Sequence, residues 1–105
     1  AGRAIFLTST AGQRARPYWG IYAVSKAALE MMINTYAQEV KKTSICVNLF
    51  NPTGTRTGMR AEAFPGEDPL TIQTPEYVAD QIVELAMPSF TQNGETIKAT
   101  NPPGL

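Results

Sequence analysis

The sequence predicts an α/β fold built on a parallel sheet, and three observations carry that expectation. Short apolar runs at Ala4–Thr8, Ser44–Phe50 and Glu95–Ala99 read as strands. Between the first two, Ile21–Lys42 has helical composition, with frequent Ala, Leu, Met, Glu and Lys, and before the third a helix starts at Thr74-Pro75-Glu76. Strands and helices alternate, the pattern of parallel strands joined by helical crossovers.

Taken in order, Ala4–Thr8 ends at Ser9-Thr10-Ala11-Gly12, a loop that continues through Pro17-Tyr18-Trp19-Gly20. From Ile21 to Lys42 there is neither Pro nor Gly, which predicts a helix of about six turns. One stripe on it runs Tyr22, Lys26, Leu29, Ile33, Ala37, Val40, and a second runs Val24, Ala28, Met31, Thr35. A helix apolar on two stripes needs two partners, so the second stripe, with Met31 and Met32, is either simple core or an oligomer interface. Lys41-Lys42 fits the last helical turn, where positive charge is favourable. The strand Ser44–Phe50 ends at the breaker cluster Asn51-Pro52-Thr53-Gly54, and Cys46 reads as a buried strand residue. Thr57–Phe64 reads as a short helix and Pro65–Pro69 as exposed and irregular. Thr74 at the N-cap and Pro75 at N1 start a helix that runs through Val78, Ile82, Val83 and Leu85 and stops before Pro88. Asn93-Gly94 is a turn, and the tail from Asn101 is expected to be loose.

Composition removes several function classes. The 105 residues make one domain at most, with 9 Lys+Arg against 9 Asp+Glu. Zero net charge lacks the electrostatic footprint of a nucleic-acid binder. Without His there is no Ser-His-Asp triad, no His-based acid–base chemistry and none of the common zinc sites. A single Cys points to a reducing cytoplasm. No apolar run approaches a membrane span, and no signal peptide is visible. Asn51-Pro52-Thr53 is disqualified as a glycosylation site by its Pro.

The chemistry concentrates between Ser9 and Lys26. Tyr22 and Lys26 are four apart, so their side chains share one helix face. A phenol titrates near about 10. An ammonium one turn away favours the phenolate and moves that value toward neutrality, where the group can exchange a proton with a carbonyl or alcohol oxygen. Ser9, at a strand's C-terminal end where open α/β sheets bind ligands, can hydrogen-bond the same oxygen. The spacing alone also fits an ordinary solvated helix face. Tyr18 and Trp19 either line a substrate pocket or anchor the loop by packing; Arg14 and Arg16 either steer an acidic partner or are ordinary loop arginines.

The combination is more specific. Thr8-Ser9-Thr10-Ala11-Gly12, followed by Tyr22-Ala23-Val24-Ser25-Lys26-Ala27-Ala28 with Tyr22 thirteen positions after Ser9, closely resembles the short-chain dehydrogenase/reductase superfamily. Asn48 to Thr57 look like its Asn-Pro-Gly segment with a downstream Thr, and the last helix and strand are also similar. The resemblance covers nearly the whole chain. It implies a partial Rossmann-like, doubly wound parallel sheet: the C-terminal three strands of a dinucleotide-binding domain, with their helices. It further implies Tyr22 as catalytic acid/base, Lys26 as its pKa-lowering partner and nicotinamide-ribose ligand, and Ser9 as holder of the substrate oxygen. Tyr22, Lys26, Pro52, Thr55 and Thr57 would form the cofactor side, the last two at the carboxamide. The cofactor would be NAD or NADP, and the substrate a small carbonyl or secondary alcohol, an acyl thioester among them. The family also implies a homo-oligomer, with no nucleic-acid or membrane partner.

Two departures stand out. Thr53 occupies the position where the family usually has Gly. The eight glycines contain no Gly-x-Gly-x-x-Gly, and the acidic or basic residue that selects NAD or NADP is absent, as is the family's upstream catalytic Asn. Residues 1–105 therefore read as a C-terminal half whose isolated chain should be inactive. The alternatives are a non-catalytic, self-associating fragment and a regulatory relative of the same fold.

Overall fold

The computed structural model describes residues 2–102. Three parallel strands, β1 (Arg3–Leu7), β2 (Cys46–Asn51) and β3 (Thr96–Lys98), form one sheet in the order β1-β2-β3. Three α-helices accompany them: α1 (Gly20–Val40), α2 (Gly58–Ala63) and α3 (Pro75–Leu85). The expected element order holds. Short 3₁₀ turns at Thr10–Gly12 and Pro69–Thr71 interrupt what the sequence suggests are plain loops.

Strand alternation sorts the core into two layers. Ala4 and Phe6 of β1, paired with Val47 and Leu49 of β2, pack against Ile33, Ala37 and Val40 of α1. Ile5 and Phe50 point the other way, toward Val78, Ile82 and Leu85 of α3. Successive strand residues face opposite sides, and β2 buries Val47 and Leu49 on one and Phe50 on the other, with the amides of Asn48 and Asn51 buried on hydrogen bonds. Helices on both faces make the sheet doubly wound. β1 is an edge strand of the described sheet; its Ala4, Ile5 and Phe6 are half-buried and Leu7 is exposed.

The expected first stripe of α1 is the inward one: Ile33, Ala37 and Val40 are buried and Leu29 half-buried. The second stripe faces outward, with Val24 69% and Met31 70% exposed. On α3 the inward face is Val78, Ile82 and Leu85, at four- and three-residue steps; Val83 falls off that face and is 53% exposed. Lys41 is the C-cap of α1 and Lys42 lies beyond it, so neither belongs to the last turn as expected. Cys46 is half-buried rather than buried, its Sγ 3.8 Å from the Thr91 carbonyl oxygen. Glu67, inside the segment expected to be wholly exposed, is half-buried.

Two amides, the buried Asn48 and the half-buried Asn93, set the approach to β3. The Asn48 Nδ2 donates to the Gln92 carbonyl (2.9 Å), while its Oδ1 accepts from the Glu95 N–H (2.9 Å). Asn93 accepts from the Val47 N–H (2.8 Å) and donates to the Ala37 carbonyl (3.0 Å), joining β2 to α1. The expected turn follows at Gly94, whose φ of 76° needs glycine. Of the tail, residues 103–105 lie outside the described residues.

Candidate active site

The candidate residues collect at the C-terminal ends of β1 and β2. Past Leu7 the chain stays in register for one more residue, the Thr8 N–H donating to the Phe50 carbonyl (2.9 Å). Ser9 is extended, and its hydroxyl caps the following 3₁₀ turn by accepting from the Ala11 N–H (3.2 Å). That turn packs directly on α1: a Cβ on Gly12 would lie 3.0 Å from Lys26 Cβ and 3.1 Å from its backbone carbon. Thr10 is tied to the second strand end, its Oγ1 accepting from the buried Asn51 Nδ2 (3.0 Å).

The inward face of α1 is polar over this end of the sheet and apolar beyond it. Tyr22 stands in the first turn, Lys26 one turn on and Glu30 one turn further, before Ile33, Ala37 and Val40 take over. The Lys26 Nζ lies 5.8 Å from the Tyr22 ring centroid and donates to the Leu7 carbonyl (3.3 Å). The ammonium is thereby held between the strand end and the phenol, a separation within cation–π range. Among the described residues, no hydrogen bond joins Ser9 to Tyr22.

The loop after β2 carries Pro52, Thr55 and Thr57. Thr53 adopts φ 63°, the left-handed region that glycine enters freely and a β-branched residue does not. Its side chain supplies the compensation. The buried Gln73, 2% exposed, donates through Nε2 to the Pro52 carbonyl (2.7 Å) and the Thr53 Oγ1 (2.9 Å). The Gln73 carbonyl also accepts from the Arg56 N–H (2.8 Å), bracing the loop on both sides. The departure from the family's glycine therefore preserves the glycine-like backbone. Thr57 caps α2, its Oγ1 accepting from the Arg60 N–H (3.1 Å), which leaves its own hydroxyl proton to donate.

An aromatic stack ties α2 to the start of α1. Trp19 meets the Tyr22 ring edge-on at 5.8 Å and stacks on Phe64 at 5.7 Å. The Arg60 guanidinium covers Phe64 at 3.9 Å and grips Glu67 bidentately, Nε–Oε1 2.7 Å and Nη2–Oε2 2.8 Å. Trp19 thus packs in the loop and, with Tyr18, Tyr22 and Ser25, also lines an open cavity at the start of α1. Neighbouring Tyr18, at φ 71° and fully exposed, does not join the stack. The hydrogen bond from Arg60 holds the Glu67 carboxyl below the usual carboxylate range, against a smaller opposing effect of burial.

A depressed carboxyl stabilises the fold above its unfolded pKa, about 4.3, and that contribution is lost as pH falls through the folded value. Trp19 is the sole tryptophan. Acidification through and below pH ~4 should therefore loosen α2 and change Trp19 fluorescence. Glu67→Gln should show the changed signal already at neutral pH. An identical fluorescence titration in both proteins would contradict this coupling.

With this geometry in place, comparison with known proteins is decisive. A sequence profile described as short chain dehydrogenase matches residues 1–68. The chain belongs to the short chain dehydrogenase family. Among its relatives, the uncharacterized oxidoreductase YciK of Escherichia coli (strain K12) is 48% identical over 75 residues, 71% of this chain and 29% of that protein. A short chain dehydrogenase from Salmonella enterica serovar Typhi str. CT18 superposes with a TM-score of 0.87 at 40% identity, covering 93% of this chain and 41% of that one. A short chain dehydrogenase from Shigella flexneri 2a str. 301, complexed with NADP, gives 0.82 at 39%, covering 92% and 41%. The short chain dehydrogenase chain described here thus spans well under half the length of these relatives. The superpositions reach past the profile match into α3 and β3, and establish the partial Rossmann-type sheet. Among the described residues no helix is long and apolar enough to cross a membrane.

Sequence reasoning passed over Thr8, Glu30 and Gln73. Glu30 had one available signal, its position four residues beyond Lys26 on the same stripe. Gln73 had none, since glutamine is usually a surface residue.

Proposed function

We propose that this chain is the catalytic, C-terminal half of an NAD(P)-dependent oxidoreductase that interconverts a carbonyl and an alcohol. The observation that supports this best is the placement of Lys26, its ammonium held between the Leu7 carbonyl and the Tyr22 ring. Tyr22 delivers a proton to the substrate oxygen in reduction and takes one up in oxidation. Ser9, at the end of β1, orients that oxygen with its hydroxyl. Lys26, set one helical turn from the phenol, has further N–H donors for a ribose hydroxyl.

The donors present suit the nicotinamide end of a dinucleotide: the Lys26 ammonium, the Thr57 hydroxyl and the backbone from Pro52 to Thr55, braced by Gln73. The bound cofactor supplies or accepts the hydride. The described residues contain no Gly-rich phosphate turn, so the isolated chain is inactive and the preceding half of the domain grips the pyrophosphate. The NADP complex of the Shigella flexneri relative favours the phosphorylated cofactor. Small carbonyls, secondary alcohols and acyl thioesters are the substrate classes. The exposed Val24–Met31 stripe favours a homo-oligomer, and the lone Cys46 a cytoplasmic setting.

The same stripe and the half-buried β1 edge also favour a second reading, a self-associating fragment without catalytic role. Turnover separates the two. The full-length protein should consume NADPH or NADH only when a carbonyl is added, and the 105-residue chain should consume neither. Absence of carbonyl- or alcohol-dependent turnover from the full-length protein, across aldehydes, ketones and acyl thioesters, would overturn the oxidoreductase reading.

A further inference from the structure

We infer that Glu30 is a positioning residue that fixes the Ser9 turn on α1, the helix carrying Tyr22. The inference rests on the proposed roles of Ser9 and Tyr22. The Thr8 hydroxyl, on a residue only 4% exposed, donates to Glu30 Oε2 at 2.6 Å. The Gln13 Nε2 donates to Glu30 Oε1 at 3.1 Å. These two partners bracket Ser9–Gly12, so one carboxylate clamps both ends of the segment that presents the Ser9 hydroxyl. The carboxylate is lodged over the turn itself: a Cβ on Gly12 would come within 2.7 Å of Oε2.

Three successive turns of α1 thus divide the work. Tyr22 offers its phenol, Lys26 binds the Leu7 carbonyl, and Glu30 binds the residues on either side of the Ser9 turn. Hydrogen bonds to an ionised acceptor are short and about twice as strong as neutral ones, which suits a clamp. Because Glu30 and Tyr22 share one rigid helix, the clamp sets Ser9 in the same frame as the phenol. Misplacement by about 1 Å is enough to cost on the order of 10²-fold in rate.

The test is a set of substitutions in the full-length protein, read as kcat and as KM for the nicotinamide cofactor. Glu30→Ala should lower kcat by roughly 10- to 100-fold and leave the cofactor KM near its parental value. Glu30→Gln, which keeps an acceptor for Thr8 and an amide that can pair with Gln13, should restore most of kcat. In a Ser9→Ala background, Glu30→Ala should bring no further loss, because the group it positions is gone. Thr8→Val, which removes the donor hydroxyl and keeps the branched shape, should show the same dependence on Ser9 if the Ala variant does not fold. Parental kcat in both Glu30→Ala and Thr8→Val, or a full additional loss on top of Ser9→Ala, overturns the positioning role and leaves the wider reading intact. Full activity in Ser9→Ala itself would instead remove the proposed role of Ser9, and the Glu30 role with it.

Discussion

Replacing Tyr22 by Phe in the full-length protein should lower kcat by about 10²–10⁴-fold, the usual contribution of a positioned general acid–base. The change deletes one oxygen and keeps the ring. Its edge-on contact with Trp19 and its contact with the Lys26 ammonium both survive. Folding should therefore be unaffected, and cofactor affinity should change by no more than about ten-fold, one hydrogen bond's worth. Steady-state kinetics with calorimetric cofactor binding separates the two effects. Near-parental turnover in Tyr22→Phe would remove Tyr22 from the chemistry.

The second large effect is on stability, at Gly12. An added Cβ would stand 2.7 Å from Glu30 Oε2, 3.0 Å from Lys26 Cβ and 3.1 Å from Lys26 C. The Glu30 carboxylate ends a flexible side chain and can retreat. The Lys26 atoms belong to the helix and its first side-chain carbon, and cannot move without displacing α1. Overpacking of this kind costs about 1–3 kcal/mol, so Gly12→Ala should lower the thermal midpoint measurably. Gly20 is the internal control, because a Cβ there meets nothing within 4 Å. Gly20→Ala, at the start of α1, should be neutral or slightly stabilising. Equal midpoints for the two variants would mean that the 3₁₀ turn does not pack on α1 as described.

Periodicity made the architecture legible. The stripe from Leu29 to Val40 is the inward face of α1 because its three- and four-residue steps follow the helix period, and β2 is the central strand, with Val47 and Leu49 buried on one face and Phe50 on the other. Val83 fails the same test: it is apolar, but it sits one residue past the Val78–Ile82 step and faces out. Boundaries shifted where side chains compete for the backbone, as at Thr57, whose hydroxyl makes it the cap of α2 and not its first residue.

The candidate site was legible as a motif and not as a mechanism of support. Ser9 follows the end of β1, and Tyr22 and Lys26 stand in the first two turns of α1. What holds the loops depends on contacts distant in sequence, which no local pattern records. Glu30 takes its place from Thr8 and Gln13, which converge on it from 22 and 17 residues away. Thr53 reads as a departure from the glycine usual at this position of the family. Its left-handed backbone persists because Gln73, twenty residues on, binds both its hydroxyl and the preceding carbonyl.

The central claim is that Tyr22 and Ser9 act on one substrate oxygen. It is tested most directly by a crystal structure of the full-length protein with NADP and an unreactive alcohol. The Tyr22 hydroxyl and the Ser9 hydroxyl should both lie within hydrogen-bond reach of the alcohol oxygen, roughly 2.6–3.2 Å, with Lys26 toward the nicotinamide ribose. An alcohol bound in the nicotinamide pocket but out of reach of Tyr22 would contradict the account.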